Sequence, residues 1–216
     1  MKLESNRGCI LIALLLAGCS HERPMNTVQY SLPESADRLV LLNPASWKSG
    51  GIDGRVCLVL DVPGPQLPPV RRPGEYALLK WDEPLRDYSI VVEGRSIEPL
   101  DLVGRDVCII FGFRDDTHFY YAHISNDSNG ETHNVVMKVE GAARRRINIE
   151  ERPEPRMNEG WHTIKVEHLS SGQISVWVDD METPLMTAHD SAYPSGAVGF
   201  GAFDDRAAFV SVELRL

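Results

Sequence analysis

The residues of this chain that could most readily do chemistry are histidines and tyrosines clustered in its central part. The segment 118–123 reads HFYYAH, and His133 and Asn134 follow after a polar loop. Side chains of a strand alternate between its two faces, so Tyr121 and His123 share one face. An antiparallel neighbour would return His133 and Asn134 beside His123. Imidazole, phenol and amide groups can bind hydroxyl groups, and the first two can also abstract protons.

An arginine run follows a short distance along the chain, from Arg144 to Arg146. A guanidinium group can bind a carboxylate or a sulfate through two parallel hydrogen bonds. The candidate ligand-binding residues are Tyr121, His123, His133, Asn134 and Arg144. The alternative interpretation is that the aromatic side chains belong to the core and that the histidines are paired within a sheet. The sequence leaves both interpretations open.

A transition-metal site is a further option at the same place. His123 and His133 offer imidazole nitrogens, and Asp127 offers a nearby carboxylate. Structural and catalytic zinc sites use these ligand types, but they usually show a fixed spacing along the sequence, and no such spacing exists here. We therefore predict no metal at these residues and no bound cofactor.

Calcium is a separate option, because this ion prefers several hard oxygen ligands. Two acidic pairs could supply them, Asp115-Asp116 and Asp204-Asp205. Both pairs lie between apolar runs, where aspartate commonly serves to form a turn. The sequence does not decide between calcium binding and an ordinary turn.

The elements that must position these residues are strands, because short apolar runs bounded by turn residues recur and almost no helical period is present. In one run Ile174, Val176 and Val178 alternate with polar neighbours, which is typical of an antiparallel sheet with one wet side. About a dozen such runs favour an all-β, two-sheet antiparallel β-sandwich. The predicted strands cover 38–42, 55–62, 75–81, 88–93, 106–113, 118–125, 134–140, 145–150, 162–168, 173–179, 197–203 and 207–216.

The N-terminus predicts export and lipidation. Lys2 and Arg7 precede the apolar run Cys9–Gly18, which is far shorter than the ~20 residues that a membrane-spanning helix needs. The tetrad LAGC, which ends at Cys19, resembles the bacterial lipobox, and the resemblance implies that Cys19 carries acyl chains. Several chains together give stable membrane anchoring. Ser20 follows in place of an inner-membrane retention signal, which favours the outer membrane.

The predicted organisation is a lipoprotein signal peptide over 1–18, a lipidated tether over 19–36 and a β-sandwich over 37–216. The formal net charge of −9 is spread along the chain, which argues against nucleic acid as a partner. Cys57 and Cys108 lie in two separate apolar runs. They could form a disulfide in an oxidising compartment or remain two buried thiols, and the sequence leaves this open.

Two stretches carry a resemblance to a known superfamily. They are 106–125 (DVCIIFGFRDDTHFYYAHIS) and 196–209 (GAVGFGAFDDRAAF). From about residue 75 onward the chain resembles concanavalin A-like lectin/glucanase domains, and more closely the bacterial secreted domains described as family-16-glycosidase-like or 3-keto-disaccharide hydrolase-like. The resemblance implies a concanavalin A-like jelly roll. It implies little about activity, because this fold is found in lectins, hydrolases, lyases and passive binding modules.

The resemblance has one notable gap. The glucanases of this superfamily carry Glu-x-Asp-x-x-Glu, which sets two carboxylates at the separation for retaining hydrolysis, and the sequence contains no such motif. The leading hypothesis is therefore a carbohydrate-recognition domain that binds a polysaccharide or glycoside. The alternatives are a sugar-cleaving enzyme with His123 or Tyr121 as the base, and an envelope structural lipoprotein. Whether the chain is an enzyme stays open.

Overall fold

The computed structural model describes residues 26–65, 71–127, 130–152 and 157–216. The predicted signal peptide and Cys19 lie outside these residues. Short 3-10 turns occupy Ala36–Arg38 and Pro44–Ser46. The strands are β1 (Thr27–Ser31), β2 (Leu39–Leu41), β3 (Trp47–Ile52), β4 (Arg55–Leu60), β5 (Glu75–Leu79), β6 (Tyr88–Ser96), β7 (Asp106–Asp115), β8 (His118–Ser125), β9 (Val135–Glu140), β10 (Ala143–Arg146), β11 (Asn148–Glu151), β12 (His162–His168), β13 (Gln173–Val178), β14 (Met186–His189), β15 (Ala197–Ala202) and β16 (Ala207–Arg215).

The strands form two antiparallel sheets, which confirms the predicted β-sandwich. The first sheet has nine strands, eight of them in the order β11-β14-β13-β12-β6-β16-β4-β3. Its ninth strand, β1, pairs with the second half of β16, whereas β4 pairs with the first half. The second sheet has seven strands in the order β10-β9-β8-β7-β15-β5-β2. Within the part of the chain that the structure describes, no helix has the length and apolar character to cross a membrane.

The main core lies between the two sheets and is built from alternating side chains. Ile164 and Val166 of β12 are fully buried, whereas the intervening Lys165 is partly exposed. Aromatic rings fill part of the space between the sheets, and the Phe200 and Phe209 ring centroids are 4.5 Å apart. Burying one such side chain contributes roughly 1.5–3 kcal/mol. Because this core is made of residues within 26–216, a chain that begins at Ser20 retains the whole described domain.

The outer face of the second sheet is also apolar. Tyr120 and Ala122 of β8 point into the main core, so Phe119 and Tyr121 point to the opposite face. A second group of buried apolar residues lies there, which we call the outer-face cluster. Its members are Tyr76, Cys108, Ile110, Phe119, Tyr121, Val135, Met137, Val139 and Phe203.

Glycines of β15 face this cluster. A Cβ atom on Gly199 would overlap the carbonyl oxygen of Ala77 on the neighbouring strand β5. A larger residue at this position is therefore excluded unless the strands move apart. Strand β5 therefore approaches this face of β15 closely.

The structure corrects three predictions made from the sequence. The predicted tether over 19–36 is wrong over Thr27–Ser31, because these residues pair with β16. The single strand predicted over 145–150 is two strands, β10 and β11, which belong to different sheets. The strands β3 and β14 were not predicted at all. Each of the missed strands is short or rich in polar residues and glycine, which weakens the alternating pattern.

The open question about the cysteines has a clear outcome in the structure. Cys57 and Cys108 are both free and fully buried. Cys57 lies on β4 in the first sheet, and Cys108 lies on β7 in the second. The two residues therefore behave as separate buried thiols.

A pH dependence of stability follows from His168 at the end of β12. The side chain is fully buried beside the rings of Phe111, Tyr120 and Tyr88, and its Nδ1 lies 3.2 Å from the Tyr88 hydroxyl. Burial lowers the pKa of His168 to about 4. In the unfolded chain a histidine has a pKa of ≈ 6.5, so between these values the unfolded state binds one more proton.

We expect the free energy of unfolding to fall as the pH falls from about 6.5 toward 4, by up to about 1.4 kcal/mol per pH unit from this group. His168→Gln removes the titration, so the stability difference between wild type and variant should shrink as the pH falls. Urea unfolding of the chain from Ser20 at several pH values measures this difference. His189→Gln is the control, because His189 is exposed. A difference for His168→Gln that is independent of pH would contradict the assignment.

Candidate functional site

The candidate site lies on the outer face of the second sheet, where β7, β8 and β9 are neighbours. Cys108 of β7 is the direct cross-strand partner of His123 on β8, and Val135 of β9 is the next partner. Because side chains alternate along each strand, Asp106 and Cys108 share this face with Tyr121 and His123. The hairpin register thus brings a carboxylate, a thiol, a phenol and an imidazole to one end of the outer-face cluster.

His123 is at the centre of the site. Its Nε2 lies 2.9 Å from Asp106 Oδ2, and the two side chains are only 2% and 1% exposed. The ring of Phe203 stacks on the imidazole at 5.3 Å. The ring of His133 meets it edge-on at 5.0 Å, and His133 Nδ1 pairs with the Asp127 carboxylate. The predicted convergence of His133 on His123 is therefore seen in the structure.

Tyr121 and Arg144 form the second pair of the site. Arg144 Nη1 donates a hydrogen bond of 2.9 Å to the Tyr121 hydroxyl, and its guanidinium carbon lies 4.6 Å from the centre of the Phe203 ring. Burial raises the pKa of Tyr121 well above its ordinary value. The phenol therefore stays protonated at neutral pH and is poorly suited to act as a base.

The other two arginines of the run do not reach the site. Arg145 lies 3.3 Å from Asp190, and Arg146 pairs with Glu151. Alternation along β10 points Arg145 to the opposite face, whereas Arg146 lies on the same face as Arg144 and is held by its ion pair with Glu151. Arg144 alone of the three contacts Tyr121 in the part of the chain that the structure describes.

Asn134 has a structural position in the site. Its backbone is left-handed, with φ of 53°, a conformation that asparagine adopts more readily than most residues. Its Oδ1 accepts from the Ser125 amide at 3.1 Å, and its Nδ2 donates to the Asp127 carbonyl at 2.6 Å. Asn134 therefore ties both ends of the loop that precedes β9 and sets the position of His133.

The turn between β15 and β16 closes the site from the other side. Phe203 N donates to Asp106 Oδ1 at 2.9 Å, and Asp106 N donates to Asp205 Oδ2 at 2.6 Å. Burial and the charge of Asp106 raise the pKa of Asp205 to about 7. The same two causes raise the pKa of Asp204. One acidic pair proposed for calcium is thus crowded against a third carboxylate.

The other acidic pair shapes the β7–β8 turn. Asp115 Oδ1 accepts from the Thr117 amide at 2.8 Å, and its hydrogen bond with His118 is the main cause that lowers its pKa to about 2. Asp116 Oδ1 accepts from the Tyr76 hydroxyl. Both carboxylates are therefore engaged in local hydrogen bonds, and calcium binding at either pair stays a prediction.

Two residues of the site were missed at the sequence level, Asp106 and Cys108. The signal that could have found them is the hairpin register. With the turn centred on 116–117, counting back along β7 places Ile110 opposite His123, and strand alternation puts Cys108 and Asp106 on the same face. The register shift between Phe111 and Asp115 then brings Cys108 directly opposite His123. The exposure of the predicted residues also differs. Tyr121, His123 and Asn134 are buried, whereas His133 and Arg144 are half-buried at the rim.

An open groove lies away from these residues, at the end of β5. It has a volume of about 600 Å³, and its walls include Trp81, Asp82, Glu83 and Arg114. Trp81 is 37% exposed, and an exposed indole offers a flat apolar face with one hydrogen-bond donor. This groove was not predicted from the sequence, because its residues come from three separate segments of the chain.

Comparison with solved structures finds similar β-sandwich folds in several other proteins. The carbohydrate binding module CBM66 from Bacillus subtilis is 17% identical, with a TM-score of 0.56, over 82% of this chain and 94% of that one. Domain 4 of AbnA, a GH43 extracellular arabinanase from Geobacillus stearothermophilus solved with arabinotriose, is 9% identical, with a TM-score of 0.53, over 88% and 91%. The GH43 protein BlXynB from Bacillus licheniformis is 12% identical, with a TM-score of 0.55. The match covers 82% of this chain and only 36% of that protein.

At these identities the likeness shows the fold, a two-sheet antiparallel β-sandwich of jelly-roll type. No protein-family model matches the sequence, and no curated protein sequence matches it either. The residues of the site itself must therefore carry any conclusion about function.

The hydrogen bonds of Asn134 predict a cost in stability. We expect Asn134→Ala to lower the free energy of unfolding by about 1–3 kcal/mol, because the buried Ser125 amide and the partly buried Asp127 carbonyl lose these hydrogen bonds. Asn134→Gly should be less damaging than Asn134→Ala, because glycine adopts the left-handed backbone without strain. Urea unfolding of both variants measures the two effects. Wild-type stability in Asn134→Ala would show that the residue does not position the loop.

Proposed function

We propose that this chain is a lipid-anchored, extracytoplasmic carbohydrate-recognition domain. The observation that carries the proposal is the half-buried pair Arg144 and His133 at the rim of the site, set on a sandwich fold. The fold is shared with a carbohydrate binding module and with a domain solved with arabinotriose. The missing pair of glucanase carboxylates favours recognition over hydrolysis.

The chemistry of the rim suits an oxygen-rich ligand. Arg144 uses one N–H group on Tyr121, and a guanidinium has five in total. His133 Nδ1 pairs with Asp127, which leaves Nε2 to bond a ligand hydroxyl. In this proposal Arg144 and His133 contact the ligand directly. Tyr121, His123 and Asn134 lie behind them and hold them in place. The arginine favours a polysaccharide or glycoside that carries an acidic group.

The test of the ligand-binding proposal compares two neighbouring arginines. We expect Arg144→Ala to weaken binding to the preferred polysaccharide at least tenfold, since a lost charge-assisted hydrogen bond costs roughly 1.5–3 kcal/mol. Arg145→Ala is the matched control, because this exposed neighbour points away from the site. A glycan array identifies the ligand from neutral and acidic glycans, and calorimetry measures its affinity for the wild type and both variants.

Three other results would each contradict this assignment of the binding site or of the function. Equal binding by both arginine variants, with a loss in Trp81→Ala, would move the ligand to the open groove beside β5. Product detected by mass spectrometry and lost in His123→Ala would make the chain an enzyme. Binding to no glycan would contradict carbohydrate recognition.

A second candidate function is favoured by the burial of the site. Tyr121 and His123 are almost inaccessible, which is what an envelope structural lipoprotein with no small ligand would show. Such a protein would use these polar groups only to stabilise the fold. This alternative predicts no binding to any glycan, together with a loss of stability in Tyr121→Phe and His123→Ala.

The anchoring part of the proposal rests on Cys19, and detergent phase separation of the expressed full chain tests it. We expect the wild type to partition into the detergent phase, because several acyl chains together bind a bilayer stably. Cys19→Ala should partition into the aqueous phase. Cys9→Ala is the matched control, because Cys9 lies within the predicted signal peptide. An unchanged partition of Cys19→Ala would overturn the lipid assignment, and fractionation of the envelope then tests the outer membrane as its location.

A further inference from the structure

Three side chains at the centre of the site have the chemistry of a metal centre. Asp106, Cys108 and His123 each offer one ligand atom, and these atoms all lie within 4.8 Å of one another. The residues are 1%, 0% and 2% exposed, respectively. Two of them alternate on β7, and the third is the direct partner of Cys108 on β8. The backbone of a single hairpin therefore fixes their separation.

The hydrogen bonds at the centre leave ligand capacity unused. Among the residues that the structure describes, both ring nitrogens of His123 are buried without a hydrogen-bond partner, although Nε2 lies 2.9 Å from Asp106 Oδ2. The Cys108 thiol has only a weak contact, 4.0 Å from Asp106 Oδ1. A buried polar atom without a partner costs free energy, and native proteins usually satisfy it or use it for a purpose.

The charges around the centre also favour a cation. The buried carboxylate of Asp205 lies beside Asp106, because its Oδ2 accepts a hydrogen bond of 2.6 Å from the Asp106 amide. These two buried acidic groups repel each other, and Arg105 is a nearby cation that interacts with Asp205. A divalent ion would relieve this repulsion between buried acidic groups.

We propose that Asp106, Cys108 and His123 bind one divalent transition-metal ion, and that zinc is the ion that fits best. Zinc accepts thiolate, imidazole and carboxylate ligands in one tetrahedral site, and calcium and magnesium do not favour sulfur. Binding transfers the Cys108 proton to solvent and forms a metal–thiolate bond, with no change of oxidation state. Three protein ligands leave one position for water. The proposal does not depend on carbohydrate binding.

The metal would act first on the architecture of the site. It would join β7 to β8 beneath His133, and through Asp106 it would strengthen the attachment of the β15–β16 turn. This places the metal below the rim that holds Arg144 and His133. The sequence predicted no metal at this site, and the one option it offered was a site of His123, His133 and Asp127. The site proposed here is a different one, because Asp127 pairs with His133 and is not among the three ligands.

The test uses the chain from Ser20, reduced and stripped of metal, so that Cys57 and Cys108 are its only cysteines. We expect Co²⁺ to bind with one ion per chain and to produce the near-ultraviolet charge-transfer absorption of a cobalt–thiolate bond, and Zn²⁺ to displace it. Cys108→Ala should lose the absorption. Cys57→Ala should keep it, because this equally buried thiol donates to the Gly50 carbonyl in the other sheet.

A second measurement keeps the proposal testable if Cys108→Ala does not fold. Zinc added to the wild type in weak buffer should release about one proton per ion, as a thiol that becomes a ligand must lose its proton. Zinc should also raise the melting temperature of the wild type and of Cys57→Ala. No bound ion, no proton release, or an absorption that survives in folded Cys108→Ala would each overturn the proposal.

Discussion

The organisation of the site depends on one buried carboxylate, Asp106. A buried charge is tolerated only when hydrogen bonds and opposite charge compensate for the lost hydration. Asp106 Oδ1 accepts from the Phe203 amide, and Oδ2 lies 2.9 Å from His123 Nε2. The amide of the same residue donates to Asp205. One residue thus connects the β7–β8 hairpin to the turn between β15 and β16, about 100 residues further along the chain.

The apolar surroundings of Asp106 strengthen its electrostatic interactions with neighbouring groups. The second sheet has buried side chains on both faces, since Tyr120 points into the main core and Tyr121 into the outer-face cluster. Polar groups at the end of such a sheet lie in a medium of low effective dielectric, where each charge is felt strongly by its neighbours. Burial therefore raises the pKa of Asp205 to about 7, whereas hydrogen bonds with His118 and Thr117 lower the pKa of the exposed Asp115 to about 2.

The sequence predicts the fold well because alternation is a local property. Two-residue periodicity found the strands that line the main core, such as β12 and β13, and the turn residues 114–117 located the β7–β8 hairpin. Prediction from periodicity failed for strands whose pairing depends on partners that are distant in sequence. The strand β1 has a weak pattern and exists because the second half of β16 offers a free edge. The strands β10 and β11 are consecutive in sequence but lie in different sheets, and only packing decides that.

The positions of some site residues could be predicted from the sequence, but their roles and burial could not. Alternation placed Tyr121 and His123 together, and a returning loop placed His133 beside them. The role of Asn134 could not be predicted, because its left-handed backbone and its bonds to Ser125 and Asp127 are tertiary features. The burial of His123 could not be predicted from the sequence either. The local sequence pattern of a strand histidine is the same whether its ring is exposed to solvent or covered by Phe203.

The depth of His123 separates two roles that the sequence had assigned to one surface. A sugar must reach its contacts from solvent, whereas a metal ion needs several converging ligands and little access. The half-buried Arg144 and His133 meet the first requirement, and the buried Asp106, Cys108 and His123 meet the second. The two layers touch where the rings of His123 and His133 meet at 5.0 Å. An ion bound below would therefore fix the inner wall against which the rim residues are set, and recognition at the rim would require no movement of the metal ligands.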